Sequence, residues 1–333
     1  MSRRVEAVVF RGAGGPEVVA LADTEVREPG WGEVQVEIAA AGVNRADLLQ
    51  RRGVYPAPPG APPDVPGLEL SGTVVARGPG ASLWADGAEV MAITGGGAMA
   101  RRITLHEREL VPVPPGVSLV DAAAIPEAFF TVWDALVRQA RLGAGESVLV
   151  HAVASGIGTA AVQVARAIGA RPIGTSRTAE KLARVTPLGL DPADAIATAD
   201  GRFAAAVAER TGGRGAEVIL DPVGAAYLEE NVRALASRGR LVLIGTLGGG
   251  SGPAPVTMML GKRVTVIGTV LRSRPLEEKI EVAREAAARL VPLFERRLLR
   301  PVIDAVLPMA DVLEAHRRME RNENVGKIVL RWT

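Results

Sequence analysis

Residues 148–175 read VLVHAVASGIGTAAVQVARAIGARPIGT, and this stretch decides the fold. An apolar, β-rich run at 148–150 enters a turn of small residues at 152–158. A helix-like stretch follows at 159–168, and residues 172–175 have the composition of a second short strand. A strand, a small-residue turn, a helix and a strand in this order are typical of the first half of a dinucleotide-binding unit.

The turn holds small residues where a pyrophosphate would need close backbone approach. The start of a helix offers N–H donors and a partial positive charge to such a group. Gly156 and Gly158 are present, and Ser155 stands where a third glycine is often found. A tight turn that binds nothing would have the same glycines, so the prediction depends on the strands on both sides.

The end of the second strand indicates which nucleotide is bound. In NAD-binding units an acidic residue about 20 residues past the glycines binds the ribose 2′-hydroxyl. Here that end carries Ser176 and Arg177, with Lys181 one turn further, and it has no carboxylate. A hydroxyl and two cations suit a 2′-phosphate, so the sequence predicts NADPH rather than NAD. A solvated helix start would also explain the two cations, although cations are mildly unfavourable there.

Composition is that of a soluble globular protein. The 333 residues suffice for two domains, with 48% hydrophobic and 23% charged residues. A net charge of +2 gives no argument for a nucleic-acid partner. No apolar run approaches 18 residues and the N-terminus lacks a signal-peptide core, so we expect no membrane span and a cytoplasmic location.

Metal and thiol chemistry are not expected. Cysteine is absent, and no two of the three histidines have the spacing of metal ligands. The sequence therefore predicts no disulfide, no thiolate nucleophile and no metal site.

The pattern along the chain predicts an α/β protein of two domains. Residues 1–115 contain short strand-like runs between glycine and proline clusters, as in a barrel-like β domain. Six candidate parallel strands then alternate with helices such as 228–237, which predicts a doubly wound sheet. Those strands are 147–151, 171–175, 194–198, 217–221, 240–245 and 263–268.

After residue 270 the pattern changes to a helix, a strand, a helix and a final strand at 326–332. We assign this tail to the first domain, whose β structure the final strand would complete. The predicted domains are therefore 1–121 with 269–333, and 122–268.

A second candidate site lies in the first domain, at residues 42–56. Asn44 and Asp47 have the spacing of a helix N-cap and its capping box, and Asn44 could also present its amide beside a nicotinamide. Tyr55 follows in a loop with glycine and proline on its flanks, where its phenol could donate to a carbonyl that gains charge. Packing beneath that loop would explain Tyr55 equally well.

With these motifs the chain resembles, from end to end, the zinc-free quinone oxidoreductases of the medium-chain dehydrogenase/reductase superfamily. It looks closest to the tumour-suppressor-inducible branch, which also has a serine in the place of Ser155, and next to the zeta-crystallin branch. The motifs that carry the resemblance are AAGVNRADLLQRRGVYP (40–56), PGLELSGTV (66–74), AAAIPEAFFTVWDAL (122–136), HAVASGIGTAAVQVA (151–165), ILDPVG (219–224), TVLRSRP (269–275) and NVGKIVL (324–330).

The resemblance implies a groES-like β-barrel catalytic domain and a Rossmann domain, with NADPH between them. Zinc-dependent relatives have a cysteine near the place of Asn44 and a histidine in the place of Leu68, so it implies no metal here. Asn44, Asp47 and Tyr55 would lie on the substrate side. The residues implied to contact the cofactor are Thr131, Gly156, Ile157, Gly158, Lys181, Gly245, Thr246, Leu247, Asn324 and Lys327. The residue pattern itself adds Ser155, Ser176 and Arg177 to this set. Thr198 stands where relatives often have a tyrosine near the adenosine.

The expected reaction is hydride transfer from NADPH to a quinone or another conjugated carbonyl compound, which needs no strong Lewis acid. An enoyl-thioester or enone reductase is the alternative within the same class. A non-catalytic NADPH-binding structural or RNA-binding protein is the alternative outside it, and the near-neutral charge is against it. The apolar strand at 263–271 is expected at the sheet edge, where relatives pair it with its twin in a homodimer.

Overall fold

The computed structural model describes residues 2–333. Its strands are β1 (Ser2–Phe10), β2 (Val19–Arg27), β3 (Glu33–Val43), β4 (Glu69–Arg77), β5 (Glu89–Ile93), β6 (Arg102–His106), β7 (Val111–Pro112), β8 (Ser147–Val150), β9 (Arg171–Ser176), β10 (Ala195–Ala197), β11 (Ala216–Asp221), β12 (Leu235–Leu243), β13 (Thr265–Gly268), β14 (Ile303–Pro308) and β15 (Lys327–Arg331). Its α-helices are α1 (Arg45–Arg51), α2 (Leu119–Ala122), α3 (Gly156–Ala167), α4 (Ala179–Ala183), α5 (Ala204–Arg210), α6 (Leu228–Ala234), α7 (Val256–Lys262), α8 (Leu276–Glu285), α9 (Val291–Glu295) and α10 (Val312–Glu320).

The chain divides into two compact units. The first contains the residues up to Phe130 together with Leu271–Thr333, and the second contains Thr131–Val270. The C-terminal tail thus lies in the first unit, where β15 pairs antiparallel with β3.

The first unit is built on a mostly antiparallel β structure, in which β14 and β15 alone among the named pairs run parallel. A sheet runs in the order β14-β15-β3-β4-β5-β7, β6 pairs with β3, and β1 and β2 form a separate hairpin. Alternate residues of β3, namely Val34, Val36 and Ile38, are buried in the apolar core of this unit. The strands belong to the expected groES-like domain, but the pairings in the described residues do not close them into a barrel.

Residues 122–130, which the sequence analysis assigned to the second domain, lie in the first unit. Ala123 and Ala124 are fully buried against Ala40 and Val329 of its sheet. A π-helical segment, Pro126–Phe130, continues from there. Small side chains that pack directly on the sheet therefore hold this segment to the first unit.

The second unit contains a six-stranded sheet in the order β10-β9-β8-β11-β12-β13. Its pairings are all parallel, and its core contains Leu149, Ile173 and Ile219. The order reverses direction between β8 and β11, which is the switch point at which doubly wound sheets bind their ligands. This confirms the predicted doubly wound sheet.

One predicted helix is too long. Residues 228–237 were expected to be helical, but α6 ends at Ala234 and Leu235 has an extended backbone. Leu235 instead pairs with Ala216 at the start of β12. Its side chain is 1% exposed in the core, so burial on the sheet outweighs the helical propensity of the sequence.

Candidate functional site

In the first unit, Asp47 fixes the start of helix α1. Its Oδ2 atom accepts a hydrogen bond from the backbone N–H of Asn44 at 2.7 Å, and its Oδ1 atom accepts one from Gly67 N–H at 3.1 Å. The side chain is fully buried, and burial raises the pKa of Asp47 to about 6. Asp47 thus joins the helix start to the segment before β4.

A buried ion pair lies beside that helix start. The Lys327 ammonium contacts Glu69 Oε1 at 2.5 Å and donates to Asn44 Oδ1 at 2.5 Å and to the Val43 carbonyl at 3.1 Å. Glu69 is 0% exposed and Lys327 6% exposed. Asn44 Nδ2 donates to Glu69 Oε1 at 2.9 Å and to the Gly42 carbonyl at 3.2 Å. The Asn44 amide is therefore committed to these neighbours.

Glu127 joins the same group of residues. Its backbone N–H donates to Glu69 Oε2 at 2.8 Å, while its own Oε2 atom is buried without a hydrogen-bond partner. Burial, and then the charge of Glu69, raise the pKa of Glu127 to about 8. At neutral pH this carboxyl is therefore mostly protonated.

Arg272 holds the loop that contains Tyr55. Its guanidinium is 2% exposed and donates to the carbonyls of Gly95 at 2.8 Å and Tyr55 at 3.2 Å, and to Gln50 Oε1. It also lies over the Tyr55 ring, 4.9 Å from the centroid. Tyr55 is half-buried, and burial raises the pKa of its phenol, which remains a donor at neutral pH. We call Asn44, Asp47, Tyr55, Glu69, Glu127, Arg272 and Lys327 the polar cluster.

In the second unit, the turn after β8 has the features of a pyrophosphate site. Ser155 is the N-cap of α3, and its Oγ atom accepts from Gly158 N–H at 3.0 Å. A Cβ at Gly158 would lie 2.4 Å from the Val153 carbonyl oxygen, so only glycine allows this packing. Gly156 and Ile157 form the first turn of α3, whose N–H groups are not used within the helix.

The loop after β11 lies beside it, across the switch point. Gly245, Thr246 and Leu247 follow β12 and approach this loop, since Leu247 N–H donates to the Pro222 carbonyl at 3.1 Å. A Cβ at Gly245 would lie 2.9 Å from that same oxygen. The residues expected on the nicotinamide side thus lie at the carboxyl edge of the sheet.

Hydrogen bonds between buried side chains connect the ends of neighbouring strands at this edge. His151 lies 2.8 Å from Thr175 Oγ1 and 2.7 Å from Asn231 Oδ1, and Asn231 donates to Asp221 at 2.8 Å. Burial lowers the pKa of His151 to about 4, so it is neutral at pH 7. Thr131, also of this unit, has a buried hydroxyl without a hydrogen-bond partner. A nicotinamide carboxamide could satisfy such a hydroxyl.

The residues expected at the adenosine end lie at the end of β9 and in the segment that leads into α4. Ser176 is buried, Arg177 is exposed and Lys181 is half-buried on α4. Thr198 is buried, and its hydroxyl is bonded to the Arg202 carbonyl at 3.1 Å. Burial raises the pKa of the Tyr227 phenol, and the charge of Arg177 opposes that shift.

Asn324, the other tail residue implied to contact the cofactor, is half-buried and donates to the Gly326 carbonyl at 2.8 Å. Within residues 2–333 no group of three or more His, Cys, Asp or Glu side chains is arranged to hold a metal ion. In the same range no helix combines the length and the apolarity that crossing a membrane requires.

Sequence reasoning did not identify Glu69, Glu127 and Arg272 as functional. Each lies in a motif that carried the resemblance, and Glu69 and Glu127 are charged residues among apolar neighbours. A charged residue in an apolar stretch is rarely buried without a partner. This pattern was the signal in the sequence that could have indicated a buried polar site.

Two family descriptions match the chain. Residues 30–115 match the alcohol dehydrogenase GroES-like domain, and residues 156–289 match the zinc-binding dehydrogenase family. A quinone oxidoreductase of Pseudomonas aeruginosa is 32% identical over 99% of this chain and 99% of its own length.

Solved structures are also similar along the whole chain. A mycobacterial protein in complex with NADPH superposes with a TM-score of 0.88 at 31% identity, covering 98% of this chain and 99% of that one. An enoyl reductase in its apo form has a TM-score of 0.87 at 27% identity, covering 99% and 100%. The chain therefore belongs to the medium-chain dehydrogenase/reductase superfamily of oxidoreductases, which bind a nicotinamide cofactor.

Proposed function

We propose that this chain is a metal-independent, NADPH-dependent reductase of quinones and related conjugated carbonyl compounds. The observation that carries this proposal is the contact of Lys327 with Glu69 and Asn44. The Lys327 ammonium compensates the charge of the buried Glu69 carboxylate, so this carboxylate needs no metal ion as its counter-charge. A quinone accepts electrons readily and does not require a Lewis acid to polarise its carbonyl group.

The second unit would hold the cofactor. The turn of Ser155, Gly156, Ile157 and Gly158 would bind the pyrophosphate, and the Thr131 hydroxyl would bind the nicotinamide amide. Ser176, Arg177 and Lys181 would bind the 2′-phosphate. When bound, the reduced nicotinamide supplies a hydride from its C4 carbon.

The first unit would orient the substrate. Because the Asn44 amide is committed to Glu69, Lys327 and Gly42, we assign it to positioning. Tyr55 keeps a protonated phenol that can donate to the substrate oxygen as charge develops there. Arg272 would keep that ring in place through its backbone contact and its position over the ring.

An enoyl-thioester reductase is the second candidate, and the likeness to a solved enoyl reductase favours it. Both candidates use the same hydride and differ in the acceptor.

The test is NADPH oxidation by the purified protein with matched panels of quinones, simple enones, enoyl-CoA thioesters and saturated ketones. We expect turnover with quinones and enones and none with saturated ketones. The turnover rate should be unchanged after dialysis of the protein against a chelator. Turnover confined to enoyl thioesters would establish the second candidate instead. A stoichiometric bound metal whose removal abolishes activity would contradict the metal-independent proposal.

A further inference from the structure

We propose that Glu127 is the catalytic acid, which carries a proton into the site and gives it to the substrate oxygen during reduction. This inference rests on the proposed function, because it concerns the second half of the same reaction. Hydride supplies two electrons and one hydrogen nucleus, and the reduced oxygen then requires one proton from another source.

The geometry around Glu127 favours its protonated form. Glu69 accepts the Glu127 backbone N–H at 2.8 Å, so a buried carboxylate lies next to this residue. Glu69 is paired with the Lys327 ammonium and also accepts a hydrogen bond from Asn44. Two neighbouring carboxyl groups that share one cation cannot both ionise without a large cost.

The Glu127 Oε2 atom is the one polar atom of the polar cluster, within the described residues, that is buried and lacks a hydrogen-bond partner. A buried polar atom without a partner is costly, and a catalytic role is one of the explanations for such an atom in a native structure. A substrate oxygen would provide the missing partner and receive the proton.

The charged groups that act on Glu127 have opposing effects. Glu69 and Asp47 favour its protonated form, whereas Lys327 and Arg272 favour its ionised form. Burial is the largest effect and also favours the protonated form. Glu127 in turn acts on the phenol of Tyr55, so the two candidate donors lie in one electrostatic environment.

The substrate gains a hydride, and its carbonyl oxygen takes up the displaced electron pair. The O–H bond of Glu127 breaks, a new O–H bond forms on that oxygen, and the carboxylate regains a proton from solvent.

The first experiment compares the wild-type protein with Glu127→Gln, which keeps the shape and removes the titrating proton. General acid catalysis typically contributes 100-fold or more, so we expect kcat to fall about 100-fold with little change in NADPH affinity. Wild-type kcat should decline as pH rises through about 8, and this decline should be absent in Glu127→Gln. Glu109→Gln is the matched control, because Glu109 is another partly buried glutamate with a raised pKa and lies outside the polar cluster.

The second experiment needs neither cofactor nor turnover. Because the pKa of Glu127 is raised in the folded protein, its contribution to the free energy of unfolding is present at low pH and is lost as pH rises from about 4.5 through about 8. Urea unfolding at several pH values should show this loss in the wild type and not in Glu127→Gln. If both proteins show the same pH dependence of unfolding, Glu127 is not the proton carrier.

The two experiments separate the two proposals. If the wild type reduces no quinone, enone or enoyl thioester, the proposed function fails while the unfolding measurement still reports on Glu127. If the wild type is active and Glu127→Gln keeps both its rate and the decline above pH 8, the assignment of Glu127 is overturned. If Glu127→Gln does not fold, Glu127→Asp takes its place. The kcat of Glu127→Asp should still decline as pH rises, and a pH-independent kcat in this variant would overturn the assignment.

Discussion

At the scale of single residues, the contact between Lys327 and Glu69 brings together positions 258 residues apart in sequence and removes both charges from water. We expect Lys327→Met to lower the free energy of unfolding by about 3–5 kcal/mol, because Glu69 would remain buried without its cation. Urea denaturation measures this loss. The double variant Lys327→Met, Glu69→Gln removes the uncompensated charge and should recover part of the stability. Equal losses in the single and double variants would contradict the ion-pair explanation.

Lys181 tests the cofactor preference. A cation that contacts a 2′-phosphate typically contributes 1.5–3 kcal/mol, so Lys181→Ala should weaken NADPH binding by roughly 10- to 100-fold and leave NADH binding nearly unchanged. Fluorescence titration with each cofactor measures the difference.

Arg214→Ala is the control for Lys181→Ala. Arg214 is an exposed cation of the same unit that precedes β11, at the opposite edge of the sheet from the end of β9. It should affect neither cofactor. An equal loss of NADPH and NADH affinity in Lys181→Ala would show that Lys181 does not bind the 2′-phosphate.

At the scale of elements, the close packing of α3 on the turn after β8 depends on one glycine. In Gly158→Ala the new Cβ would lie 2.4–2.5 Å from three backbone atoms of Val153, which a side-chain rotation cannot relieve. We expect the free energy of unfolding to fall by about 1–3 kcal/mol, and NADPH affinity to fall with it as the turn is displaced. Thermal unfolding and cofactor titration of the same samples measure both effects.

Gly261→Ala is the matched control, since Gly261 lies in α7 of the same unit with no atom within 4 Å of an added Cβ. It should stabilise the protein by up to about 1 kcal/mol, because alanine is the better helix former. If the two variants behave alike, contact with Val153 is not what requires glycine at position 158.

The elements of the second unit were the most predictable part of the fold. Its strands are short apolar runs with a local signal, and the crossover rule then fixes their parallel order. The early end of α6 was not predictable, because Leu235 leaves the helix for a place in the sheet core that only the tertiary structure creates. The polar cluster has the same limitation. Asn44 and Asp47 share a local capping pattern, whereas Glu69, Glu127 and Lys327 meet only when distant segments pack together.

At the scale of the whole molecule, exposed apolar side chains gather near one edge of the second unit's sheet. Strand β13 is the edge strand, and Val266 on it is 39% exposed. Val270, two residues after the strand ends, is 46% exposed. In the preceding helix α7, Val256 is 59% and Leu260 73% exposed. An edge strand of this kind is normally covered or paired.

We therefore expect a homodimer in which β13 pairs with its twin. Val266→Lys would put a charge on the pairing edge and should shift the protein to monomer, as measured by multi-angle light scattering at micromolar concentration. Val306→Lys is the matched control, because Val306 is 41% exposed on β14, which is the edge strand of the other unit. That variant should remain dimeric. A wild-type monomer, or a dimer that Val306→Lys dissociates and Val266→Lys does not, would show that β13 is not the interface.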